Sequence, residues 1–282
     1  MVPSFDQIQR AAYLRWERRS YQHGQHTEDW LAAEQDLLFS LNYEVFAYYP
    51  IADGEKRLIG NKARPVCRFC ERTAPGVSFR NDALALPQFL GNTSLFTTEE
   101  CEECQGLFAE EVEGELQAFL SRFRAGSSAG ARERSRLPVP IAALKGLTKL
   151  GLSILPRREL QGFEGAIEWV SNSDHDFDSN LFTEAHGFFH VLNQPISQPW
   201  VALARRTDAD APMPAIFFFL GTGHLVAQVA LPLNDQDEEL DGMEISVPTV
   251  SSPLGPDRME GMVARVSLPI ALAGARPVAF SR

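Results

Sequence analysis

The sequence predicts an α+β fold in which a small four-cysteine module lies between an N-terminal helical segment and a C-terminal α+β domain with an antiparallel sheet. Apolar residues recur with helical spacing near the N-terminus and again in residues 140–170, whereas β-branched and aromatic runs prevail after residue 172. All four cysteines lie within residues 67–104. We therefore predict N-terminal helices and a hairpin in residues 1–58, the cysteine module in 59–125, a linker in 126–139 and the C-terminal domain in 140–282.

The composition is typical of a globular protein and excludes some functions. Of the 282 residues, 44% are hydrophobic and 22% are charged, with a formal net charge of −11. No apolar run is long enough to cross a bilayer and the N-terminus has no apolar signal core, so we expect a cytoplasmic protein with no membrane partner. A chain this acidic is not expected to bind nucleic acid over its whole surface, although a local basic region can still do so.

The N-terminal segment contains two helix signals and one hairpin signal. Ser4 and Gln7 form a capping box at the start of a first helix, and Thr27 is a good N-cap for a second amphipathic helix. The β-branched and aromatic residues 43–49 are followed by an Asp-Gly turn, which predicts a hairpin with residues 58–59.

The cysteines form two CxxC pairs, Cys67 with Cys70 and Cys101 with Cys104. Two residues between the members of a pair allow a tight turn that directs both sulfurs to one point, and two such turns complete a tetrahedral thiolate shell suited to zinc. Because a closed shell leaves no open coordination position, this zinc is expected to be structural. The other interpretation, two redox dithiols, requires a thioredoxin-like strand and helix around each pair, and neither pair has them.

Short elements are predicted around the cysteine pairs. Residues 77–79 and 83–86 each suit a short strand, and Pro87 ends the second one. The predicted order is therefore CxxC, two strands, a loop, CxxC and a helix. The helix after Cys104 has one apolar face, which consists of Phe108, Val112, Leu116, Phe119, Leu120 and Phe123.

This order resembles the zinc-stapled branch of the HNH endonuclease family over about sixty residues. The likeness is carried by the words CRFC and VSF, the strand ending at Pro87, the Leu90-Gly91-Asn92 turn, the second CxxC and the helix with Glu113. A looser likeness covers LTKLGLSILPRREL, which is similar to a segment that follows the nuclease module in large members of that family.

The resemblance implies a ββα-metal fold and a specific chemistry. In such nucleases a strand histidine activates the attacking water, and neighbouring side chains hold a divalent ion such as Mg²⁺ on the scissile DNA phosphate. Here Leu84 stands where that histidine is expected, Ala83 precedes it, and Gln105 replaces the asparagine usual after the second CxxC. Because a leucine cannot accept a proton, we expect no catalytic residues and an HNH-like interaction or scaffold protein. The family's role in bacterial defence and mobile elements implies a similar setting.

The histidines leave one alternative open. An active metal-dependent DNA endonuclease would need a base from outside the module, and His23, His26 or His175 could supply it. His186 and His190 have the spacing of a helical zinc pair, but their segment is predicted to be a strand, where positions four apart are too distant to share an ion.

Charges around the module divide into an acidic helix and a basic region. The carboxylates of residues 99–115 repel a nucleic-acid backbone unless they hold a cation. The basic region, residues 121–158, can follow a phosphate backbone or dock onto the acidic helix, and the sequence leaves both open. A protein partner is expected on the acidic helix or on the acidic loop 235–241. A nucleic acid would be bound through Arg122, Arg124, Arg132, Arg134, Arg136, Lys145 and Lys149.

The C-terminal domain is predicted to begin with two helices and to continue as strands. Pro140 starts the first helix, and Pro156 ends it and starts the second. The segment Gly221-Thr222-Gly223 is expected to join two strands as a hairpin. Strands are predicted at residues 188–192, 200–204, 215–220, 225–231, 244–250 and 263–268.

Overall fold

Helices and strands alternate along the computed structural model of this chain, which describes residues 1–80, 83–123, 137–172, 186–240, 243, 245–254 and 264–272. The protein is 37% helical and 26% strand and contains an antiparallel sheet, so the predicted α+β class is confirmed. The described helices are α1 (Phe5–Arg18), α2 (His26–Asn42), α3 (Glu102–Phe108), α4 (Gly114–Ser121), α5 (Ile141–Ile154) and α6 (Glu164–Ser171). The described strands are β1 (Tyr43–Pro50), β2 (Arg57–Ile59), β3 (Leu95–Thr97), β4 (Leu137–Val139), β5 (Gly187–Arg206), β6 (Ile216–Ala230) and β7 (Ala264–Leu272).

Strand β5 is the centre of a five-stranded sheet with the order β1-β5-β7-β4, in which β6 also pairs with β5. It has 20 residues. Its first half pairs antiparallel with β6 and β7, and its second half pairs antiparallel with β6 and β1. Because β1 and β7 each pair with only part of β5, this one strand pairs with three others.

Strand β1 connects the N-terminal segment to this sheet. It pairs with β5, whereas β2 pairs in parallel with β3. The predicted hairpin between residues 43–49 and 58–59 is therefore wrong, because β5 offers β1 a longer partner and a buried position for Tyr43 and Ala47. The predicted domain boundaries stay a prediction, although residues 1–58 and 140–282 both contribute strands to one sheet.

Both faces of the sheet are buried. Phe217 and Phe219 belong to a cluster that contains Phe39 of α2, whereas Phe218 and Leu220 belong to the larger cluster formed with the cysteine module and α5. Successive residues of a strand point to opposite faces. The sequence of β6 is continuously apolar because side chains pack against both faces of this strand, and not because the segment forms a hairpin.

The expected hairpin at Gly221-Thr222-Gly223 is not formed, because β6 runs through these residues as one strand. The two predicted strands both pair with β5, on either side of an irregularity between Val191 and Trp200. A Cβ atom added at Gly221 would lie 2.3 Å from Cε2 of Trp200. This glycine therefore permits the close approach of an indole ring and does not make a turn.

We predict that Gly221→Ala lowers the free energy of unfolding by about 1–3 kcal/mol, since the new methyl group must displace the buried Trp200 ring. Gly114→Ala is the matched control. It lies in α4 with no atom within 4 Å of its added Cβ, and a helical alanine gains about 0.5–1 kcal/mol over glycine. Urea unfolding measures both, and a Gly221→Ala protein as stable as the parent would contradict the role given to this glycine.

Helix α5 lies between the sheet and the helix that follows Cys104, and its residues from Ala143 onwards are all buried. Pro140 precedes it as predicted. The next helix, α6, begins later than predicted because a 3-10 turn, Arg157–Glu159, and a left-handed Gly162 intervene. None of the described helices is both long and apolar enough to span a membrane.

Candidate metal centre

The first cysteine pair lies in a tight reversal of the chain. The amide of Glu71 donates to the carbonyl of Cys67 at 3.0 Å, and the amide of Cys67 donates to the carbonyl of Arg72 at 3.0 Å. Glu71 has a φ of 57°, in the left-handed region that such a reversal requires. The turn places Cys67 and Cys70 at the same point of the module.

The second pair lies at the start of α3. Cys101 is the N-cap residue with extended backbone angles, and Cys104 is in the first turn of the helix. The amide of Glu102 donates to the carbonyl of Ser78 at 2.9 Å. The two pairs are joined directly, because the amide of Arg68 in the first turn donates to the carbonyl of Glu99 at 2.8 Å.

The four sulfur atoms lie within 4.8 Å of one another. The sulfurs of Cys67 and Cys104 are 3.7 Å apart, and those of Cys70 and Cys101 are also 3.7 Å apart. A tetrahedral site with Zn–S bonds of about 2.3 Å requires sulfur separations of about 3.8 Å. The cluster can therefore hold a metal ion, which confirms the coarser prediction of a metal site. Within the described residues, no other group of three or more His, Cys, Asp or Glu side chains has this property.

The thiols of the cluster have unequal pKa values. The hydrogen bond between the sulfurs of Cys67 and Cys104 lowers the pKa of Cys67 to about 4 and raises the pKa of Cys104. Burial raises the pKa of Cys101 to about 11. The sulfur of Cys67 can thus carry a negative charge while Cys101 and Cys104 keep their protons. A divalent cation would displace those protons and bind all four sulfurs.

Arg72 supplies a positive charge at the rim of the cluster. Its Nε donates to Sγ of Cys70 at 3.4 Å, and its Nη2 forms an ion pair with Glu103. Hydrogen bonds to a metal-bound sulfur reduce its charge and fix its orientation. Arg72 therefore connects the first cysteine turn to the helix of the second.

Buried ion pairs surround the cysteines on the side of α5. The guanidinium of Arg68 pairs with Glu99 and donates to the carbonyl of Leu155 at 3.0 Å, just past the end of α5. The ammonium of Lys149, also on α5, lies 3.2 Å from a carboxylate oxygen of Glu100. Burial raises the pKa of Glu100, and the positive charge of Lys149 opposes that rise. These charges join the metal centre to α5.

Part of the basic region contacts the acidic residues around the module. Lys149 also lies 3.8 Å from Glu113, and Arg157 lies 3.9 Å from Glu99. The ammonium of Lys149 is 4.9 Å from the centre of the Phe108 ring, at a distance that favours a cation–π contact. The acidic residues are therefore partly neutralised from within the chain.

Three of the predicted nucleic-acid residues are described, and two of these are not on the surface. Lys145 and Lys149 are buried, and Nζ of Lys145 donates to the carbonyl of Asn172. Their burial removes both lysines from the predicted basic surface. Arg122 is exposed, with its guanidinium 5.7 Å from the ring of Phe119. The remaining residues of the prediction, Arg124, Arg132, Arg134 and Arg136, lie outside the described residues.

The residues aligned with the catalytic positions of the HNH family contact other parts of the module. Leu84 is half-buried and forms an isolated antiparallel bridge with Phe96, and Ala83 beside it is buried. Nε2 of Gln105 donates to the carbonyl of Glu100 at 3.4 Å. Residues 83–86 thus pair through a single bridge, and the strand predicted at 77–79 is absent from this described part of the chain.

Both the nitrogen and the oxygen of the Asn92 side-chain amide form hydrogen bonds to the backbone. Its Nδ2 donates to the carbonyls of Leu86 and Leu95, at 2.9 and 3.0 Å. Its Oδ1 accepts from the amides of Leu95 and Ser94, at 2.9 and 3.3 Å. The side chain is fully buried. Asn92 therefore closes the loop between residues 86 and 95, and its amide is not available to a substrate.

The histidines do not add a second centre in the described part of the chain. His23 and His26 are exposed in and beside the connection between α1 and α2, and His175 is not among the described residues. His190 is in β5, as the strand prediction required, with its Nδ1 2.8 Å from the hydroxyl of Ser267. Burial lowers the pKa of His190 to about 4, so its ring is neutral at pH 7.

The fold and the site define an α+β protein with a buried four-cysteine cluster that can hold a metal. A family model described as "Protein of unknown function (DUF2934)" matches residues 5–38, which span α1 and most of α2 and exclude the cysteines. No curated protein and no solved structure matches the chain.

Proposed function

We propose that Cys67, Cys70, Cys101 and Cys104 bind one structural zinc ion. Four cysteine sulfurs form the donor set typical of zinc in small modules, and their 3.7 Å separations suit a tetrahedral ion. With all four positions filled by the protein, the ion has no site for water or substrate. When bound, it would neutralise the thiolates and hold the two cysteine turns together, and Arg68, Arg72 and the helix α3 fix the ligands.

We further propose that the chain is an HNH-like scaffold protein without nuclease activity. The observation that carries this proposal is Leu84, a half-buried hydrocarbon at the position where the resemblance requires the base. The engagement of Asn92 by four backbone groups supports the same conclusion. General-base catalysis needs a proton acceptor within hydrogen-bond distance of the water, and Leu84 provides none.

A protein partner fits the surface of this module better than a nucleic acid. Glu110 and Glu115 are exposed on the helix after the cysteines, and no ion pair to either is found among the described residues. Lys145 and Lys149, which a nucleic acid would need, are buried. By the resemblance, such a partner would belong to a bacterial defence or mobile-element system. An exposed acidic face favours a partner with a basic surface.

The proposal predicts that the purified zinc-loaded protein does not nick supercoiled plasmid DNA in the presence of Mg²⁺, Mn²⁺ or Ni²⁺. The physical reason is the missing base at Leu84. An authentic HNH nuclease in the same buffer serves as the positive control. Gel electrophoresis of the plasmid measures the result.

Metal-dependent nicking by the parent chain would contradict the scaffold proposal. Loss of that nicking in His23→Ala, His26→Ala or His175→Ala would identify the alternative, an endonuclease whose base comes from outside the module. Nicking that survives all three changes would show that the resemblance misplaces the site.

A further inference from the structure

The helical hairpin, residues 1–42, carries most of the exposed apolar side chains found in the described part of the chain. Ten large hydrophobic residues are exposed there, and seven of them precede residue 32. Single exposed apolar residues are ordinary on protein surfaces, but a concentration of them marks a contact surface. The seven are Met1, Val2, Phe5, Tyr13, Leu14, Tyr21 and Leu31, with exposed fractions between 41% and 89%.

Helix α1 has little support from the described part of the chain. Ile8 is its one buried residue, and every residue of this 14-residue helix is described. A surface helix ordinarily buries an apolar stripe, and an isolated helix of this length is marginal in water. A partner that covers the exposed residues of α1 would supply the missing burial.

The exposed aromatic side chains have ring partners within the hairpin. The ring of Phe5 lies 4.9 Å from that of Trp30, and the ring of Trp16 lies 5.6 Å from Tyr13 and 4.9 Å from Tyr21. Ion pairs of Arg15 with Asp36 and of Arg19 with Asp29 fasten α1 to α2. Pre-organised aromatic side chains lose little entropy on binding, which makes them good anchors at interfaces.

The charges of the hairpin match those of a second copy. Arg15 of α1 and Asp29 and Asp36 of α2 are already in ion pairs within the hairpin, so only the remaining charges can meet a second copy. Arg10 on α1 and Glu28 and Glu34 on α2 have no ion pair among the described residues. Arg10 of one chain and these two glutamates of another have opposite charges, and they meet when a two-fold axis places α1 against the α2 of a partner chain.

From the exposed apolar residues, the ring contacts and the opposite charges of the two helices, we propose that the hairpin is the interface of a homodimer, with α1 of each protomer packed on α2 of its partner. Two such hairpins form a four-helix arrangement, in which the exposed aromatic and leucine side chains become its core. This inference is independent of the metal centre. It assigns a self-association role to the segment matched by the DUF2934 model.

Sedimentation equilibrium of the full zinc-loaded chain tests the proposal. The parent is expected to reach twice the 31.4-kDa mass of one chain as its concentration rises. Leu31→Glu is expected to raise the dimer dissociation constant by about 30-fold, the effect of losing one interface hot spot. Leu58→Glu on β2 is the control, at a leucine that is 40% exposed against 54% for Leu31, and it should leave the constant unchanged.

Charge exchange distinguishes self-complementarity from a folding defect. The single variant Arg10→Glu is expected to be a monomer, and so is the double variant that combines Glu28→Arg with Glu34→Arg. An equal mixture of the single and the double variant should form a heterodimer. Circular dichroism confirms that each variant is folded. A parent that stays monomeric at every concentration, a dimer indifferent to Leu31→Glu, or variants that associate no better when mixed would overturn the proposal.

Discussion

Replacing Cys104 by serine is expected to abolish zinc binding and to lower the free energy of unfolding by more than about 4 kcal/mol, since folding of such modules is coupled to metal binding. The effect should extend beyond the module. Cys67, Phe69 and Phe108 belong to the same hydrophobic cluster as α5 and one face of the sheet, so loosening the cysteine turns exposes a shared core.

Elemental analysis and urea unfolding measure this result. Gln105→Ala is the control, because Gln105 follows Cys104, is half-buried and has one long hydrogen bond at 3.4 Å. Its loss should cost about 1 kcal/mol or less. A Cys104→Ser protein that keeps one zinc per chain and unfolds like the parent would refute the zinc proposal.

Replacing Lys149 by methionine is expected to cost about 3–5 kcal/mol, because it leaves the carboxylate of Glu100 buried without its partner. Oε2 of Glu100 already has no hydrogen-bond partner among the described residues. The second change Glu100→Gln removes the negative charge, so the double variant should recover most of the lost stability. Urea unfolding of the parent and the two variants gives the comparison.

The cost of Lys149→Met should depend on pH. Burial raises the pKa of Glu100 in the folded state. Folding therefore favours the protonated carboxyl. Its contribution to the free energy of unfolding is fully present below the unfolded pKa of about 4.3, and it is lost as the pH rises through the folded pKa. We expect the deficit of Lys149→Met to be smallest in acid and to grow towards neutral pH. A deficit that is the same at both ends of this range, or a double variant no better than the single one, would contradict the buried-pair explanation.

Some signals confined to a few neighbouring residues predicted structure well, although the N-cap predicted at Thr27 is wrong because α2 begins at His26 with Gln25 as its N-cap residue. The capping box of Ser4 and Gln7 is formed at the start of α1. The CxxC pairs do converge, and the apolar spacing after Cys104 does mark a helix. The cap and the helical spacing are decided by backbone geometry within a few residues, which is why the sequence alone suffices for them. The two CxxC pairs lie more than 30 positions apart, and their convergence was predicted from the need of one metal ion for four sulfur ligands.

Features that depend on distant partners were mispredicted. Gly221 was interpreted as a turn because glycine suits both turns and close contacts, and only the position of Trp200 separates the two. Lys149 was assigned to a surface because a lysine in sequence gives no sign of Glu100, which lies 49 positions earlier. One signal was present: Lys145 and Lys149 interrupt an otherwise apolar helical pattern. Charges at such positions indicate buried partners as well as exposed faces.

The bonds of Arg68 have a consequence for how the protein is made. Its guanidinium reaches the carbonyls of Leu152 and Leu155, which are 84 and 87 residues further along the chain. Contacts between residues so far apart form late, because the intervening chain must first be closed into a loop. On the ribosome the four cysteines therefore emerge before α5 exists. The nascent cysteine cluster can hold a metal ion at this stage. The Arg68 guanidinium beside it can bond to the end of α5 only after synthesis has passed residue 155.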